Sequence, residues 1–257
     1  MGYDFAHLDW RKIGKIDVLF HKAAITDTTV LDRNLMFKIN LEDSKKLFAD
    51  AVKNGCKKII YASSTAVYGD APAPYKENGI IHPLNPYGES KRLLDDFATY
   101  FANKNPSVII IGLRYCNVYG AGEKHKGKMA NMIYQLAQQM VKGNPKMFKF
   151  GEQKRDYLYV KDAVKANILA AKSKKSCIVN CGSGKAVTFN DIVKILNKTL
   201  GTNRQPEYID NPYAEKYQNY TECDMSLAKK MIGFVPEFDI EKGINDYFKN
   251  FPFQKTI

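Results

Sequence analysis

The sequence predicts an α/β fold built on a doubly wound parallel sheet. Two patterns carry the prediction. KIDVLFH (15–21), KKIIYASS (57–64) and SVIIIGLRY (107–115) are continuous apolar runs bounded by turns, as expected of strands buried on both faces. The segments between them have helical periodicity, and strands separated by helices imply right-handed parallel crossovers. At 257 residues the chain is long enough for one large α/β domain, or for a core with a smaller lobe.

The elements follow in order. After the first run, residues 39–55 place Ile39, Leu47, Phe48, Ala51 and Val52 on a helical period that ends at Gly55. The second run leads into a loop rich in Pro and Gly, then a helix from about Pro86 to Asn103, then the third run. Beyond Gly120 the rhythm changes. A helix at 127–142 precedes two short strands, KMFKF and RDYLYV, a helix at 160–173, the strand CIVNC and a helix from Thr188 to about Leu200, with Thr188 and Asp191 as a weak capping box. An extended piece at 206–209 and helices near 226–232 and 239–250 complete the chain. With no internal repeat and no low-complexity linker, the second lobe is expected to be interwoven with the first.

The formal net charge is +12, with 39 Lys and Arg dispersed along the chain. The clusters Lys172-Ser173-Lys174-Lys175 and Lys57-Lys58 read as solvated ends of elements, and no nucleic-acid-binding signature accompanies them. An anionic small-molecule substrate accounts for the charge as well as nucleic acid does. Cys56, Cys116, Cys177, Cys181 and Cys223 form no CxxC pair and no metal set, and their odd number does not suit a disulfide framework. No signal peptide or membrane-length apolar run is present. A soluble cytoplasmic protein is expected.

Tyr87 and Lys91 of YGESK lie one helical turn apart on one face, a spacing that a solvated surface pair also has. The surroundings favour chemistry. YASSTAVYG (61–69) comes directly off an apolar strand, and its Ser64 precedes Tyr87 by 23 residues. A hydroxyl at the carboxyl end of a parallel strand faces the ligand crevice. A Lys ammonium near the Tyr favours the phenolate, which takes a hydroxyl proton as hydride leaves the adjacent carbon. Turn chemistry at a strand end is the plainer account of Ser63 and Ser64.

FHKAA (20–24), Asn40 in KINLEDSKK, YASSTAVYG, PYGESK, GLRYCNVYG (112–120), KRDYLYVKDAV (154–164) and CGSGKAVTFNDI (181–192) occur in an order that resembles the extended short-chain dehydrogenase/reductases of the sugar-nucleotide epimerase and dehydratase family. Within it the chain most resembles the ADP-L-glycero-D-manno-heptose 6-epimerases, through TDTTV (26–30), EKHKGKMA (123–130) and FGEQKRDYLYV. The resemblance implies a Rossmann-like fold, a bound NADP or NAD with NADP favoured, a nucleotide-diphosphate sugar substrate and a homo-oligomer. Tyr87 would be the acid/base, Lys91 its partner and a ribose ligand, Ser64 the hydroxyl that orients the sugar, and Lys126 a second base on the opposite side of the substrate. His21, Ala23, Ala24 and Asn40 would line the cofactor, and Asn117, Arg155 and Tyr217 the substrate. Plainer readings are an Asx turn for Asn117, a surface ion pair with Asp156 for Arg155, a satisfied strand-end histidine for His21 and a solvated lysine for Lys126.

The resemblance divides the chain into a cofactor-binding core at 1–121, to which 156–183 return, and a substrate lobe formed by 122–155 and 184–257. It fails at the start. The family opens with a strand, a GxxGxxG turn and a helix that holds the pyrophosphate, whereas MGYDFAHLDWRKIGKIDVLFHKAA enters that pattern just ahead of FHKAA. At least one βαβ unit, roughly 30 residues, is expected to be missing. Three functions are left: epimerisation by an enzyme completed by that unit, another nucleotide-sugar 4-epimerase or 4,6-dehydratase, and a fragment that does not turn substrate over. Dehydratases tend to carry an acidic pair after the Ser/Thr, where this chain has Ala66-Val67, which favours epimerisation.

Overall fold

The three apolar runs form the centre of a parallel sheet in the computed structural model, which describes residues 5–212 and 218–250. Strands β1 (Val18–His21), β2 (Lys58–Ser64), β3 (Ile109–Tyr115) and β7 (Cys177–Cys181) pair in the order β1-β2-β3-β7. The neighbours are parallel, with Ile60 opposite Ile111 and Ser64 opposite Tyr115. Alternation along β2 explains its unbroken hydrophobicity. Ile59 and Tyr61 pack with Phe48, Leu94 and Ala98 on one face, and Ile60 packs with Ile111, Ala166 and Val179 on the other. Gly112 leaves room for the Tyr61 ring to lie across β3, because a Cβ there would lie 2.4 Å from the Tyr61 hydroxyl.

Helices cover both faces of the sheet. A short helix α1 (Trp10–Ile13) precedes β1; α2 (Arg33–Phe37), a π-helical turn at Lys38–Glu42 and α3 (Asp43–Lys53) lead to β2. The helix expected over 39–55 therefore begins with a wide turn. Helix α4 (Pro86–Lys104) is started by Asn85, whose side chain accepts from the Gly88 amide, and by Pro86 in the first turn. Helix α6 (Val160–Lys172) packs on the other face. Lys58 is not the solvated strand end expected from the sequence. Its ammonium donates to Ala171 O at 2.5 Å and Ser173 O at 2.8 Å, a cation placed on the last carbonyls of α6, where the helix dipole favours it.

The second lobe has its own core of Tyr119, Ile133, Leu136, Met140, Tyr157, Phe189, Ile192, Leu196 and Ile244. Its strands are β4 (Asn117–Tyr119), β5 (Lys146–Phe148), β6 (Lys154–Tyr159), β8 (Ala186–Thr188), β9 (Glu207–Ile209) and β10 (Tyr220–Thr221). They pair as β10-β6-β4, with β8 antiparallel to β6, and as β5-β9. The helix expected over 127–142 is split. A 3-10 stretch covers Glu123–Met129, and α5 (Met132–Lys142) starts afresh with the Asn131 side chain accepting from Ile133 N. Helices α7 (Phe189–Leu200) and α9 (Ile240–Asn250) complete the lobe, whereas α8 (Ser226–Ile232) packs its Ala228 and Ile232 on the main sheet beside Val179 and Ala170; Thr188 caps α7 as anticipated. No described helix is long and apolar enough to cross a membrane.

Candidate active site

Ser64 ends β2, and its backbone turns there into a 3-10 turn at Thr65–Val67, where the Ser64 hydroxyl accepts from Ala66 N at 3.1 Å. The turn chemistry and the site chemistry thus fall on one residue. The first turn of α4 packs directly on this corner. A Cβ on Gly88 would come within 2.5 Å of Ala66 O, so the glycine of YGESK is what lets the Tyr87 helix approach Ser64. Burial pushes the Tyr87 phenol above its ordinary range, and a hydrogen bond with Ser64 works against that shift. The Lys91 ammonium lies 5.8 Å from the Tyr87 ring centroid and donates to Ala62 O at 2.8 Å. Burial lowers Lys91 to about 8, with Asp95 opposing.

His21, at the end of β1, is 4% exposed and shares a 2.8 Å hydrogen bond with the Ser44 hydroxyl. Burial first, then Lys91 and Lys22, holds it neutral at about 3. Asn40 is completely buried in the π-helical turn. Its Oδ1 accepts from Ile25 N at 2.8 Å, while Nδ2 donates to Ile25 O at 2.9 Å and to the Ser90 hydroxyl at 3.2 Å. Asn40 therefore ties the loop that follows β1, with Ala23 exposed and Ala24 half-buried, to the helix that carries Tyr87.

The parallel register carries the site into the second lobe. Ser64 faces Tyr115 across β2 and β3, the chain continues through Cys116 into β4, and Asn117 of β4 pairs with Tyr157 of β6. A cavity of about 340 Å³ opens here, and Asn117, Lys126 and Arg155 all line it, with Glu123, Asn131, Tyr157 and Phe189. Asn117 Nδ2 donates to Asp156 O at 3.0 Å. Arg155 is 9% exposed, donates to Lys154 O at 2.9 Å and lies 5.8 Å from the Phe189 ring centroid. The surface ion pair with Asp156 does not form. Asp156 is fully buried and accepts from Ser183 N, Ser183 Oγ, Gly184 N and Cys223 N at 2.6–3.1 Å.

Lys126 is half-exposed and pairs with Glu123 at 2.5 Å, and the other Glu123 oxygen accepts from Asn131 N at 2.6 Å. Sequence reasoning missed Glu123, although it stands one helical turn before the HKG lysine. Tyr217 lies outside the described residues. Cys116, Asp156 and Cys223 bring ligand-capable atoms within 4.8 Å of one another. The four donors on Asp156 occupy its lone pairs, and burial pushes both thiols up, so the cluster is a structural knot rather than a metal centre.

Comparison with known proteins places the chain in a family. The chain is similar to the ADP-L-glycero-D-manno-heptose-6-epimerase of Helicobacter pylori, at 37% identity and a TM-score of 0.87 over 97% of this chain and 78% of that one. It is also similar to the UDP-N-acetylglucosamine 4-epimerase of Methanobrevibacter ruminantium in complex with UDP-N-acetylmuramic acid, at 30% identity and a TM-score of 0.89 over 97% and 81%. A third solved relative, the UDP-glucuronic acid 4-epimerase of Bacillus cereus in complex with NAD, matches at 26% identity and a TM-score of 0.81 over 96% and 79%. The NAD dependent epimerase/dehydratase family matches residues 8–182. The chain belongs to that family.

Proposed function

We propose that the chain carries the catalytic and sugar-binding parts of a nucleotide-sugar epimerase, with ADP-D-glycero-D-manno-heptose converted to its L-glycero epimer through oxidation and reduction at C6. The observation that carries this is the single cavity holding Lys126 together with Asn117 and Arg155. It supplies a proton-transfer group in the same space as a cation and an amide suited to a diphosphate. Tyr87 takes the sugar hydroxyl proton from one side, Ser64 holds the same oxygen, and Lys126 serves the other side. Lys91 favours the phenolate while Tyr87 is deprotonated. Arg155 and Asn117 hold the diphosphate, with Tyr217 as a further sugar contact.

A bound nicotinamide, NADP or NAD, would supply the hydride acceptor and donor that such a cycle needs. The residues described fit one end of such a cofactor. Ala23 and Ala24 directly follow β1, Asn40 holds the next residue, Ile25, and ties it through Ser90 to α4, the helix of Tyr87 and Lys91, and His21 closes β1 against Ser44. The 17 glycines contain no GxxG spacing, so these residues include no Gly-rich pyrophosphate cradle. Five free cysteines support a reducing, cytoplasmic setting, and we extend the reading to a homo-oligomer.

A second reading, epimerisation at C4 of a UDP-sugar, is favoured by the Glu123 ion pair on Lys126, which leaves Tyr87 as the acid/base not engaged with a carboxylate. The test joins the chain to an upstream GxxGxxG strand–turn–helix unit and compares Tyr87→Phe with Lys126→Ala. Loss in both supports the two-base reading. Loss in Tyr87→Phe alone moves the function to C4.

A further inference from the structure

Helix α4 presents Tyr87, Lys91 and Asp95 at successive turns of one face. The first two belong to the proposed reaction, whereas Asp95 has no part in it. Yet it is among the most deeply buried charges of the protein, at 2% exposure, and Lys91 is buried to the same 2%. Asp95 Oδ1 accepts from the Tyr61 hydroxyl at 2.8 Å, and Oδ2 accepts from Arg114 Nε at 2.8 Å. Arg114 is itself 4% exposed, and its Nη1 donates to the Tyr68 hydroxyl at 2.9 Å and to Glu77 O at 3.3 Å. Both oxygens of Asp95 are thereby fixed from two strands of the sheet, β2 and β3.

Lys91 donates to a neutral carbonyl, Ala62 O, and forms no direct ion pair among the described residues. An ammonium taken out of water costs several kcal/mol unless a counter-charge is near. The groups that act on it come from β1 and the loop after it, from α4 and from β3. Lys22, in the loop just after β1, repels it, His21 at the end of β1 is neutral, Tyr87 on its own helix is a phenol held up by burial, and Arg114 of β3 stands behind Asp95. Asp95 is the carboxylate that opposes burial at Lys91.

We propose that Asp95 is a positioning residue of the active site: anchored by Arg114 and Tyr61, its carboxylate keeps the Lys91 ammonium charged and in place beneath Tyr87. The proposal rests on the reading of Tyr87 and Lys91 as an acid/base pair. Asp95 touches neither substrate nor cofactor and acts through Lys91 alone. Without it, Lys91 becomes a neutral amine in the pH range where the phenolate needs a cation.

The test is an NMR titration of the 257-residue protein labelled with 13C,15N-lysine, the Lys91 signal being assigned by its absence in Lys91→Arg. Wild-type Lys91 titrates at about 8. In Asp95→Asn the ammonium-to-amine ratio of Lys91 at pH 8 falls at least tenfold, an effect that lost packing alone does not produce. Tyr61→Phe, which removes an anchor but keeps the charge, leaves the ratio within twofold. An unchanged ratio in Asp95→Asn overturns the proposal. The double variant Asp95→Asn/Arg114→Gln removes both buried charges of the pair and decides the matter if the single variant does not fold. A ratio still at least threefold below wild type supports the proposal, and a return to the wild-type ratio assigns the effect to stranded Arg114 and overturns it. No substrate or cofactor enters the titration, so its failure leaves the epimerase reading standing. Failure of that reading shows instead as undiminished turnover in Tyr87→Phe.

Discussion

Replacing Arg155 by alanine removes a guanidinium that the fold holds against the wall of the Asn117–Lys126 cavity. The side chain is 9% exposed and stacks over Phe189, so it is oriented before any ligand arrives. For a guanidinium so deeply buried, a charge-assisted hydrogen bond to a diphosphate oxygen contributes about 1.5–3 kcal/mol, which is roughly a 12- to 140-fold change in dissociation constant at 1.4 kcal/mol per decade. The direct assay is calorimetric titration with ADP and with UDP, on Arg155→Ala and on the unaltered chain. Melting of both proteins by circular dichroism separates lost binding from lost folding, because loss of a desolvated cation–π contact alone costs about 2 kcal/mol. Weaker binding of at least tenfold with a cooperative melt is expected. Equal affinity in a folded variant refutes the assignment and returns Arg155 to a packing role. A preference for ADP over UDP in the same experiment supports the heptose substrate.

Other consequences follow from particular contacts. In the chain joined to a GxxGxxG unit, Tyr87→Phe and Lys126→Ala each reduce epimerisation by at least about a hundredfold, the scale of a positioned acid/base. His21, held neutral at about 3, is protonated more readily in the unfolded state, near 6.5, so its contribution is fully present above that pH and is lost as pH falls toward 3. Between pH 8 and pH 5 this amounts to about 2 kcal/mol, and urea midpoints of His21→Gln should lack that share of the acid sensitivity. The 257-residue polypeptide purifies without NAD(P), read as absence of cofactor absorbance, since its sequence contains no Gly-rich cradle. The same preparation self-associates in light scattering, because the outer edge of β1 carries no strand among the described residues and Phe20, Val164 and Ile168 are about half exposed.

The main sheet was legible because Ile59, Ile60, Ile111 and Val179 need burial on both faces and therefore write their strands as unbroken apolar runs. The strands β4, β8 and β10 were not, since two or three residues give no periodicity to read. The break between the Glu123–Met129 stretch and α5 was hidden because the Asn131 cap stands inside an otherwise helical pattern. Ser64, Tyr87 and Lys91 could be read from spacing along one strand and one helix. The partners of Lys58, Asn40, Asp95 and Asp156 lie 15 to 115 residues away, so their roles as clamp, anchor or knot emerge only once the sheet brings distant segments together.

The central claim, two bases acting on one nucleotide sugar, is tested most directly by product analysis. The chain joined to a GxxGxxG strand–turn–helix unit is loaded with cofactor and incubated with ADP-D-glycero-D-manno-heptose, and the sugar is followed by proton NMR. The account predicts conversion to a mixture of the two C6 epimers, abolished in Lys126→Ala. A protein that holds stoichiometric cofactor, leaves this substrate unchanged and inverts C4 of a UDP-hexose with or without Lys126 would contradict it.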